Sequence, residues 1–335
     1  MGKILILTDG KAGHENQSKA FARALGCEFD LVEVHFKSKL HKALSYLFDH
    51  LGIRTSAFHA VENETAENAK NLCDLCALCG SRRYSGVIGT GSGTFYAAKA
   101  MAKKLGVKCG VVLYPRGYDI KSFDCVLAPA FDRPMSAANV IEIPANLVAN
   151  DEAFYAKGIE DFKAHYGKCS NGGMFECSNA VAVIVGGPNK CSTMTPEWMK
   201  VRLDAIFKSN NQTIKQSNNL QFWVTTSRRT PSDVEAVVDS YPWDYKLLYS
   251  KDHFNPIPAF VKLAKKLYVT AESTGMLSEC CTFGTAEVVA LDNLKSGPHK
   301  FRRFVEDLRT GGYVDGNRKV DLSAQFARAK TLMGL

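Results

Sequence analysis

The sequence predicts an α/β protein made of two doubly wound domains in tandem. Short apolar runs without polar alternation recur along the chain, and segments of helical period separate them. Continuous apolar runs are typical of parallel strands that helices cover on both faces. The polar, glycine-bearing stretch "KCSNGGMFECSN" divides these runs into two series. Strands that alternate with helices build parallel sheets, so each series predicts one domain.

The first series has six predicted strands, at residues 3–7, 29–35, 86–88, 109–113, 125–128 and 140–143. Its predicted helices cover residues 17–25, 40–51, 66–79 and 94–105. A glycine directly follows each of these helices. Glycine adopts the left-handed backbone that commonly ends a helix. The four glycines therefore support the four predicted helix ends.

The second series begins with the apolar strand at residues 180–187. Later strands are predicted at residues 221–226, 245–249, 267–271 and 286–292. Helices are predicted at residues 196–208, after Pro231, and at 257–266, 275–284, 300–308 and 322–333. The predicted organisation is a domain at 1–150, a linker helix and connector at 151–178, a domain at 179–310 and a helical segment at 311–335.

Composition and charge restrict the class of protein. The chain is 46% hydrophobic and 23% charged, as in soluble globular proteins. No apolar run approaches the ~20 residues that span a bilayer, and the first residues lack a signal peptide, so a cytoplasmic location is expected. The net charge of +8 is spread along the chain. Diffuse positive charge favours a phosphate-bearing small molecule or an anionic membrane surface over nucleic acid.

Two segments allow alternative interpretations. Cys73, Cys76 and Cys79 have part of an iron–sulfur spacing, but their helical period and the missing fourth cysteine favour apolar packing, and no metal is predicted. The amphipathic segment "KSKLHKALSYLFDHLG" is suited either to core packing or to the surface of an anionic bilayer. Core packing is favoured there, and binding at the inner face of a membrane is the alternative.

Polar and glycine residues collect in the loops that follow the predicted strands. Ligands of doubly wound sheets bind outside the carboxyl ends of the strands. In the first domain these loops include "TDGKAGHENQS" and "GTGSGT", and in the second "GGPNKCS", "TSRRTP" and "AESTGMLSE". This coincidence predicts an enzyme.

The first-domain loops have candidate catalytic and anion-binding residues. Asp9 or His14 is suited to remove a proton from a hydroxyl group, with a turn cap and a surface histidine as the alternative. The "GTGSGT" loop is suited to binding a phosphate with its backbone amides, and a simple tight turn is the alternative.

The second-domain loops have candidate phosphate contacts. Gly186 and Gly187 would let a ligand approach the backbone, and Lys190 could meet a phosphate. Ser227 and Arg228 lie at a strand end, where the arginine fork matches phosphate geometry.

The segment "VTAESTGMLSE" places hydroxyls and a carboxylate at a predicted helix start. Ser273 or Thr274 could hold a phosphate there, and Glu279 could accept the hydroxyls of a ribose. The alternative is an ordinary helix cap followed by a surface glutamate.

The motifs "TDGKAGHENQS", "IGTGSGT", "VGGPNK", "TTSRRTP" and "NPIPAFVKLAKKLYVTAESTGMLSE" together resemble the mitochondrial-fission-protein (Elm-type) family of glycosyltransferases. The resemblance extends from residue 3 to residue 290. It implies a GT-B-like fold, in which two Rossmann-like domains face each other across a cleft. It also implies a donor on the C-terminal domain, an acceptor on the N-terminal domain, no cofactor and no catalytic metal.

The resemblance also assigns site residues by position. Asp9 and His14 would be catalytic. The implied donor contacts are Gly186, Gly187, Lys190, Ser227, Arg228, Ser273, Thr274, Gly275 and Glu279. The implied acceptor contacts are Gly13, Gly89, Gly91, Ser92 and Thr94. The family more often has an aspartate at the position of Glu272, and the longer side chain argues against a direct contact there.

The leading hypothesis is a metal-independent glycosyltransferase that moves a sugar from a nucleotide-sugar donor to an acceptor hydroxyl. The expected acceptor is a lipid-linked or lipopolysaccharide-type glycan. One alternative is an adaptor without catalysis, since plant members of the family recruit a dynamin-like protein to mitochondria. Another is a sugar-nucleotide epimerase, because such enzymes share the two-domain architecture.

Overall fold

The computed structural model describes residues 2–62, 84–169, 179–214 and 220–335. The chain forms two compact units, one of Met1–Ala149 with Asp321–Leu335 and the other of Asn150–Val320. The cluster of Cys73, Cys76 and Cys79 and the predicted helix at 66–79 lie outside the described residues. Within the described residues, no helix is both long enough and apolar enough to cross a membrane.

Unit 1 contains a seven-stranded sheet. Its strands are β1 (Lys3–Thr8), β2 (Glu28–Phe36), β3 (His59–Glu62), β4 (Gly86–Thr90), β5 (Lys108–Val112), β6 (Cys125–Pro129) and β7 (Val140–Ile143). The order across the sheet is β3-β2-β1-β4-β5-β6-β7. Neighbouring strands are parallel except for the antiparallel pair β2–β3. The sheet therefore has the doubly wound topology that the sequence predicts.

Unit 2 contains a five-stranded parallel sheet. Its strands are β8 (Ala180–Ile184), β9 (Gln221–Thr225), β10 (Tyr245–Leu247), β11 (Ala264–Thr270) and β12 (Glu287–Leu291). Their order is β10-β9-β8-β11-β12, and every pair is parallel. The α/β fold class with two Rossmann-like units is thus confirmed.

Ten helices are found among the described residues. They are α1 (Ala12–Ala24), α2 (Lys39–His50), α3 (Phe95–Leu105), α4 (Glu152–Cys169), α5 (Pro196–Ile214), α6 (Ser232–Asp239), α7 (Ile257–Leu263), α8 (Thr274–Phe283), α9 (Lys300–Thr310) and α10 (Ser323–Met333). Gly106 follows α3 with a φ of 67°, so its left-handed C-cap is confirmed.

Several element boundaries differ from the sequence-based prediction. Helix α1 begins at Ala12 rather than at residue 17, because its first turn accommodates small and polar residues. Strand β3 was not predicted, since a four-residue edge strand has too little apolar pattern. Strand β11 takes residues 264–266 from the predicted helix before it, because β11 pairs with β8 from Ala264 onward.

The two compact units also divide the chain differently from the predicted domains. Helix α4, predicted as part of a linker, packs against α7 within unit 2. Helix α10 packs on β5, β6 and β7 of unit 1, so residues 321–335 belong with the first sheet rather than in a separate segment. Its Met333 contacts the positions of Gly86 and Gly110 closely, where a larger side chain would collide with it.

Both sheets reverse their strand order beside the first strand of the unit. The reversal lies between β1 and β4 in unit 1 and between β8 and β11 in unit 2. At such a switch point the loops after the two strands diverge and leave room for a ligand at the carboxyl edge of the sheet. The loops that follow these four strands contain most of the predicted site residues.

Candidate functional site

The unit 1 site is centred on an aspartate–histidine pair. Asp9 directly follows β1, and His14 lies in the first turns of α1. Oδ1 of Asp9 is 2.9 Å from Nδ1 of His14. The Asp9 side chain is 6% exposed and that of His14 is 25% exposed. The structure therefore joins the two predicted catalytic residues in one hydrogen bond.

The surroundings of Asp9 stabilise its ionised carboxylate form. Burial alone would raise the pKa of its carboxyl group, but hydrogen bonds and positive charge from Lys11 and His14 lower that pKa below its usual value. The Lys11 ammonium donates to Oδ2. Because Asp9 is a carboxylate, it accepts the Nδ1 proton of His14. In the neutral imidazole with its proton on Nδ1, Nε2 holds the lone pair, and this atom has no hydrogen-bond partner among the described residues.

The loop after β4 packs directly onto this pair. A Cβ at Gly91 would lie 2.4 Å from Cε1 of the His14 ring, and Gly91 has a φ of 83°. A Cβ at Gly93 would lie 2.9 Å from Oδ2 of Asp9. Only glycine allows the backbone to approach both side chains so closely. The two loops that the sequence singled out in the first domain are therefore in contact.

The remaining predicted acceptor residues surround this contact. Thr94 donates from its hydroxyl to the Gly91 carbonyl at 3.1 Å, and a Cβ at Gly89 would meet that hydroxyl. Ser92 is exposed and accepts from the ammonium of Lys42 on α2 at 3.0 Å. Gly13 is an exposed residue of α1 with open space at its Cβ position.

The unit 2 site is built around Gly186 and Gly187, which follow β8. The Gly186 amide donates to the Thr270 hydroxyl at 2.9 Å, and its carbonyl accepts from Thr230 at 2.6 Å. A Cβ at Gly187 would lie 2.2 Å from the carbonyl oxygen of Arg229. The loops after β8 and β9 are thus held together at the carboxyl edge of the sheet, next to the last residue of β11.

The Glu272 side chain lies next to the Gly186 backbone, and the residue is 3% exposed. A Cβ at Gly186 would lie 2.1 Å from its Oε1, which accepts from Thr270 at 3.0 Å. Its Oε2 has no hydrogen-bond partner among the described residues. Burial raises the pKa of Glu272, and the polar groups of Asn293 and Thr270 and the backbone amides of Glu272 and Gly187 only partly offset the effect. Glu272 therefore packs against the glycine loop, and the expectation that it makes no direct contact with a donor stays a prediction.

Two predicted phosphate-binding cations lie beside the loop of Gly186 and Gly187. Arg228 and Lys190 are exposed, and neither side chain forms an ion pair or hydrogen bond with the described residues. Ser227 instead bonds to Thr230 within its own turn, at 3.2 Å between hydroxyls.

Helix α8 begins at Thr274, and the Ser273 side chain makes no capping hydrogen bond. Gly275, in the first turn, has open space at its Cβ position. Uncapped amides at a helix start are suited to an anion.

Glu279 has partners within unit 2. Its Oε1 accepts from the hydroxyl of Tyr155 and from the amide of Asn150, each at 2.9 Å. Burial raises the pKa of Glu279, and these two hydrogen bonds partly offset that increase. The predicted ribose contact of Glu279 stays a prediction, and at least one of its oxygens is already engaged.

Several residues that organise the two sites were not predicted from the sequence. Thr230 and Thr270 hold Gly186, and Lys11 pairs with Asp9. Their positions could have indicated them, because Lys11, Thr230 and Thr270 each lie within or next to a loop that follows a strand. A threonine or lysine in such a loop is common, however, so its residue type alone does not mark it. Among the described residues, no group of three or more His, Cys, Asp or Glu side chains is placed to hold a metal ion.

One curated relative matches part of the chain. It is the uncharacterized protein RP120 of Rickettsia prowazekii (strain Madrid E), 28% identical over 132 residues. The match covers 38% of this chain and 35% of RP120, so the chain spans about a third of that relative.

Solved structures are similar along the whole chain. The UDP-GlcNAc 2-epimerase of Neisseria meningitidis, bound to UDP-GlcNAc, has a TM-score of 0.50 at 11% identity, with 99% of this chain and 98% of that chain covered. MurG of Acinetobacter baumannii has a TM-score of 0.45 at 12% identity, with 99% and 91% covered. At this identity the epimerase likeness shows the fold.

A sequence model of the family described as mitochondrial fission ELM1 matches residues 12–327, which include His14, the glycine loops of both units and the start of α8. The match confirms the resemblance that the five motifs indicate. The chain therefore belongs to the mitochondrial fission ELM1 family.

Proposed function

We propose that this protein is a glycosyltransferase that moves a sugar from a nucleotide-sugar donor to an acceptor hydroxyl. The observation that carries the proposal is the Asp9–His14 pair at the switch point of unit 1, with Nε2 of His14 left without a partner among the described residues. An adaptor without catalysis has no need of a hydrogen-bonded carboxylate–imidazole pair. A general base with an orienting carboxylate is the arrangement that proton removal from a hydroxyl requires.

In the proposed mechanism, His14 is the general base and Asp9 is its orienting partner. Nε2 of His14 accepts the proton of the acceptor hydroxyl while the acceptor oxygen bonds to the anomeric carbon of the sugar. The bond from that carbon to the diphosphate breaks, and the nucleoside diphosphate leaves with the bonding electrons. The Asp9 carboxylate stabilises the imidazolium that forms. The bond between Asp9 and Nδ1 supports His14 rather than Asp9 as the base in this proposal, between which the sequence left the choice open.

Unit 2 supplies the proposed donor site. Gly186 and Gly187 leave the backbone after β8 without side chains, and Arg228 and Lys190 are exposed cations without side-chain partners among the described residues. The open first turn of α8 adds backbone amides and a favourable helix dipole. Together these groups would offset the negative charge of a leaving diphosphate, the part that a divalent metal plays in other enzymes.

A thermal-shift screen against UDP-, GDP-, ADP- and CMP-sugars tests donor binding. A ligand that binds only the folded protein at about 100 times its Kd stabilises it by ~2.7 kcal/mol, which is a readily measured shift. Arg228→Ala should reduce the shift without lowering the melting temperature of the free protein, because Arg228 is exposed. Lys208→Ala is the matched control, since Lys208 is an exposed cation well along α5 from its start. Absence of any shift across the four classes would contradict the proposal and favour the adaptor.

The outcome of incubation without an acceptor separates transfer from epimerisation. A transferase should leave the donor sugar unchanged or hydrolyse it slowly, whereas an epimerase should produce the epimeric nucleotide sugar. Nuclear magnetic resonance of the anomeric protons distinguishes these products. Accumulation of an epimer that His14→Ala abolishes would replace the transferase proposal with the epimerase.

A further inference from the structure

Helix α2 has an apolar face that no part of the described protein covers. Of the eight exposed large apolar side chains among the described residues, four lie in this one stretch of the chain. They are Leu40, Leu47, Leu51 and Ile53, with exposures of 66%, 56%, 63% and 43%. Leu40, Leu47 and Leu51 are spaced by seven and four residues, so they form one ridge along the helix. Such a concentration of exposed leucines marks an interaction surface.

The opposite face of α2 is firmly packed into unit 1. Asp49 is buried, and both of its oxygens accept from the Lys99 ammonium at 2.8 and 2.9 Å. The Asp49 carboxylate also accepts from the Asp119 amide at 2.6 Å. The ring centroids of Tyr46 and Tyr118 are 4.4 Å apart. The core-packing prediction for this segment is therefore confirmed for its inner face, and the exposed leucines have no place in that core.

The charge around the ridge is positive. Lys37 and Lys39 are exposed just before and at the start of α2, and Lys42 follows within the first turns. Asp49 is the one acidic residue in the sequence between Lys37 and Phe58, and its charge is neutralised inside the unit by Lys99 and Arg54. The surface therefore combines apolar side chains with cations and presents no anion of its own.

We propose that this face of α2, with Lys37, Lys39, Leu40, Leu47 and Leu51, docks onto an anionic bilayer surface. A helix with leucines on one side and lysines beside them lies in the plane of the interface, with its apolar face below the headgroups. Each nearby lysine adds attraction to anionic lipid. The core packing of the other face fixes the helix on unit 1, so the ridge is presented as a preformed surface.

The docking surface adjoins the candidate acceptor loop. Lys42 of α2 donates to the Ser92 hydroxyl at 3.0 Å, and Ser92 lies between Gly91 and Gly93, which pack on His14 and Asp9. A membrane-borne acceptor, such as a lipid-linked glycan, would then reach this loop from the bilayer. That consequence rests on the proposed function, whereas bilayer docking does not.

Flotation with lipid vesicles tests the docking surface. The wild-type chain should float with vesicles of phosphatidylcholine and phosphatidylglycerol in equal amounts, and less with phosphatidylcholine alone. Leu47→Ser with Leu51→Ser should weaken binding at least about tenfold, because both side chains lose their transfer free energy into the apolar layer. Lys37→Glu with Lys39→Glu should weaken binding to the anionic vesicles and reduce its dependence on salt.

Met135→Ser with Val201→Ser is the matched control, since these side chains are 65% and 62% exposed and lie outside α2. It should bind vesicles as the wild type does. The proposal is overturned if the wild type does not bind anionic vesicles, or if both double variants bind equally well. It is also overturned if the leucine variant only converts a dimer to a monomer in sedimentation, which would make the ridge a contact between two copies.

The vesicle and nucleotide experiments fail independently of each other. Leu47→Ser with Leu51→Ser should keep the thermal shift caused by a nucleotide sugar, because neither leucine belongs to the candidate donor site. Vesicle binding without any nucleotide effect would support the docking surface and contradict the transferase. A nucleotide effect without vesicle binding would support the transferase and contradict the docking surface.

Discussion

Replacement of Glu272 by glutamine should stabilise the free protein. Glu272 is 3% exposed, one carboxylate oxygen accepts from Thr270, and the other has no partner among the described residues. Burial raises the pKa of this group above its ordinary value of 4.5. Glutamine keeps the size of the side chain and an acceptor for Thr270 while it removes the charge. The replacement therefore relieves the cost of a buried, incompletely bonded carboxylate.

The magnitude follows from the carboxylate oxygen that has no partner. A buried polar atom without a partner costs about 1–3 kcal/mol, part of which remains because the glutamine amide also occupies that position. We expect a gain of about 1–2 kcal/mol at neutral or higher pH. For a unit of this size the melting temperature should rise by about 2–8 °C.

The pH dependence has a definite sign. Because the folded-state pKa of Glu272 is above the unfolded-state value, the folded protein binds this proton more tightly. Stability from this group is therefore fully present below pH 4.5 and is lost as pH rises through the folded-state pKa. Glu272→Gln removes that loss, so its advantage should be small at a pH below 4.5 and should grow as the pH rises through the folded-state pKa.

Thermal and urea unfolding of both proteins across this pH range measure the effect. Glu235→Gln is the control, since Glu235 is also buried in unit 2 but its Oε1 accepts from the Thr226 hydroxyl at 2.5 Å. That variant should lose about 1 kcal/mol, because a charge-assisted bond becomes a neutral one. An advantage of Glu272→Gln that does not change with pH, or a loss of stability at high pH, would show that the buried Glu272 carboxylate does not destabilise the protein.

Three further predictions concern unit 1. Asp9→Asn should lower the transfer rate ~100-fold or more, because the asparagine orients His14 less well. The donor-induced thermal shift should stay unchanged. Equal transfer rates of the variant and the wild type in single-turnover assays would contradict this prediction. The variant should also lose less stability below pH 4 than the wild type, whose lowered Asp9 pKa makes the carboxylate stabilising until acid protonates it. Gly91→Ala should cost about 1–3 kcal/mol, because φ is 83° and the new Cβ would lie 2.4 Å from the His14 ring; an unchanged melting temperature would show that the loop relaxes freely. Lys99→Met should cost about 3–5 kcal/mol, because it leaves the buried Asp49 carboxylate without its main cation, and recovery of stability in the double variant with Asp49→Asn checks that cause.

The sequence identified which loops matter because sheet topology ties position along the chain to position in space. Continuous apolar runs predicted parallel strands, and the residues after each strand had to lie at one edge of a sheet. This reasoning placed Asp9, His14, Gly91 and Gly186 among the candidates before any contact was visible. These positions are predictable because they depend on the order of strands and helices, and short apolar runs and glycines indicate that order well.

Residue roles were decided by contacts that the sequence does not encode locally. Nothing in the spacing of Asp9 and His14 required a hydrogen bond on Nδ1, and Gly91 and Gly93 reach the pair only because β4 lies beside β1. Glu272 and Glu279 are similar in type and close in the chain. One packs against Gly186, and the other accepts from Tyr155 on α4, because Glu272 lies in the loop before α8 whereas Glu279 lies within that helix.

The sequence by itself therefore determined the fold class, the family and the edge of each sheet at which the polar residues collect. Periodicity and motif order are local properties, so they can be read without knowing what packs against what. Only the three-dimensional packing brings Nδ1 of His14 to Asp9, buries Glu272 against a glycine and leaves the leucines of α2 facing outward. Each of these depends on which surfaces meet, and distant parts of the chain determine that.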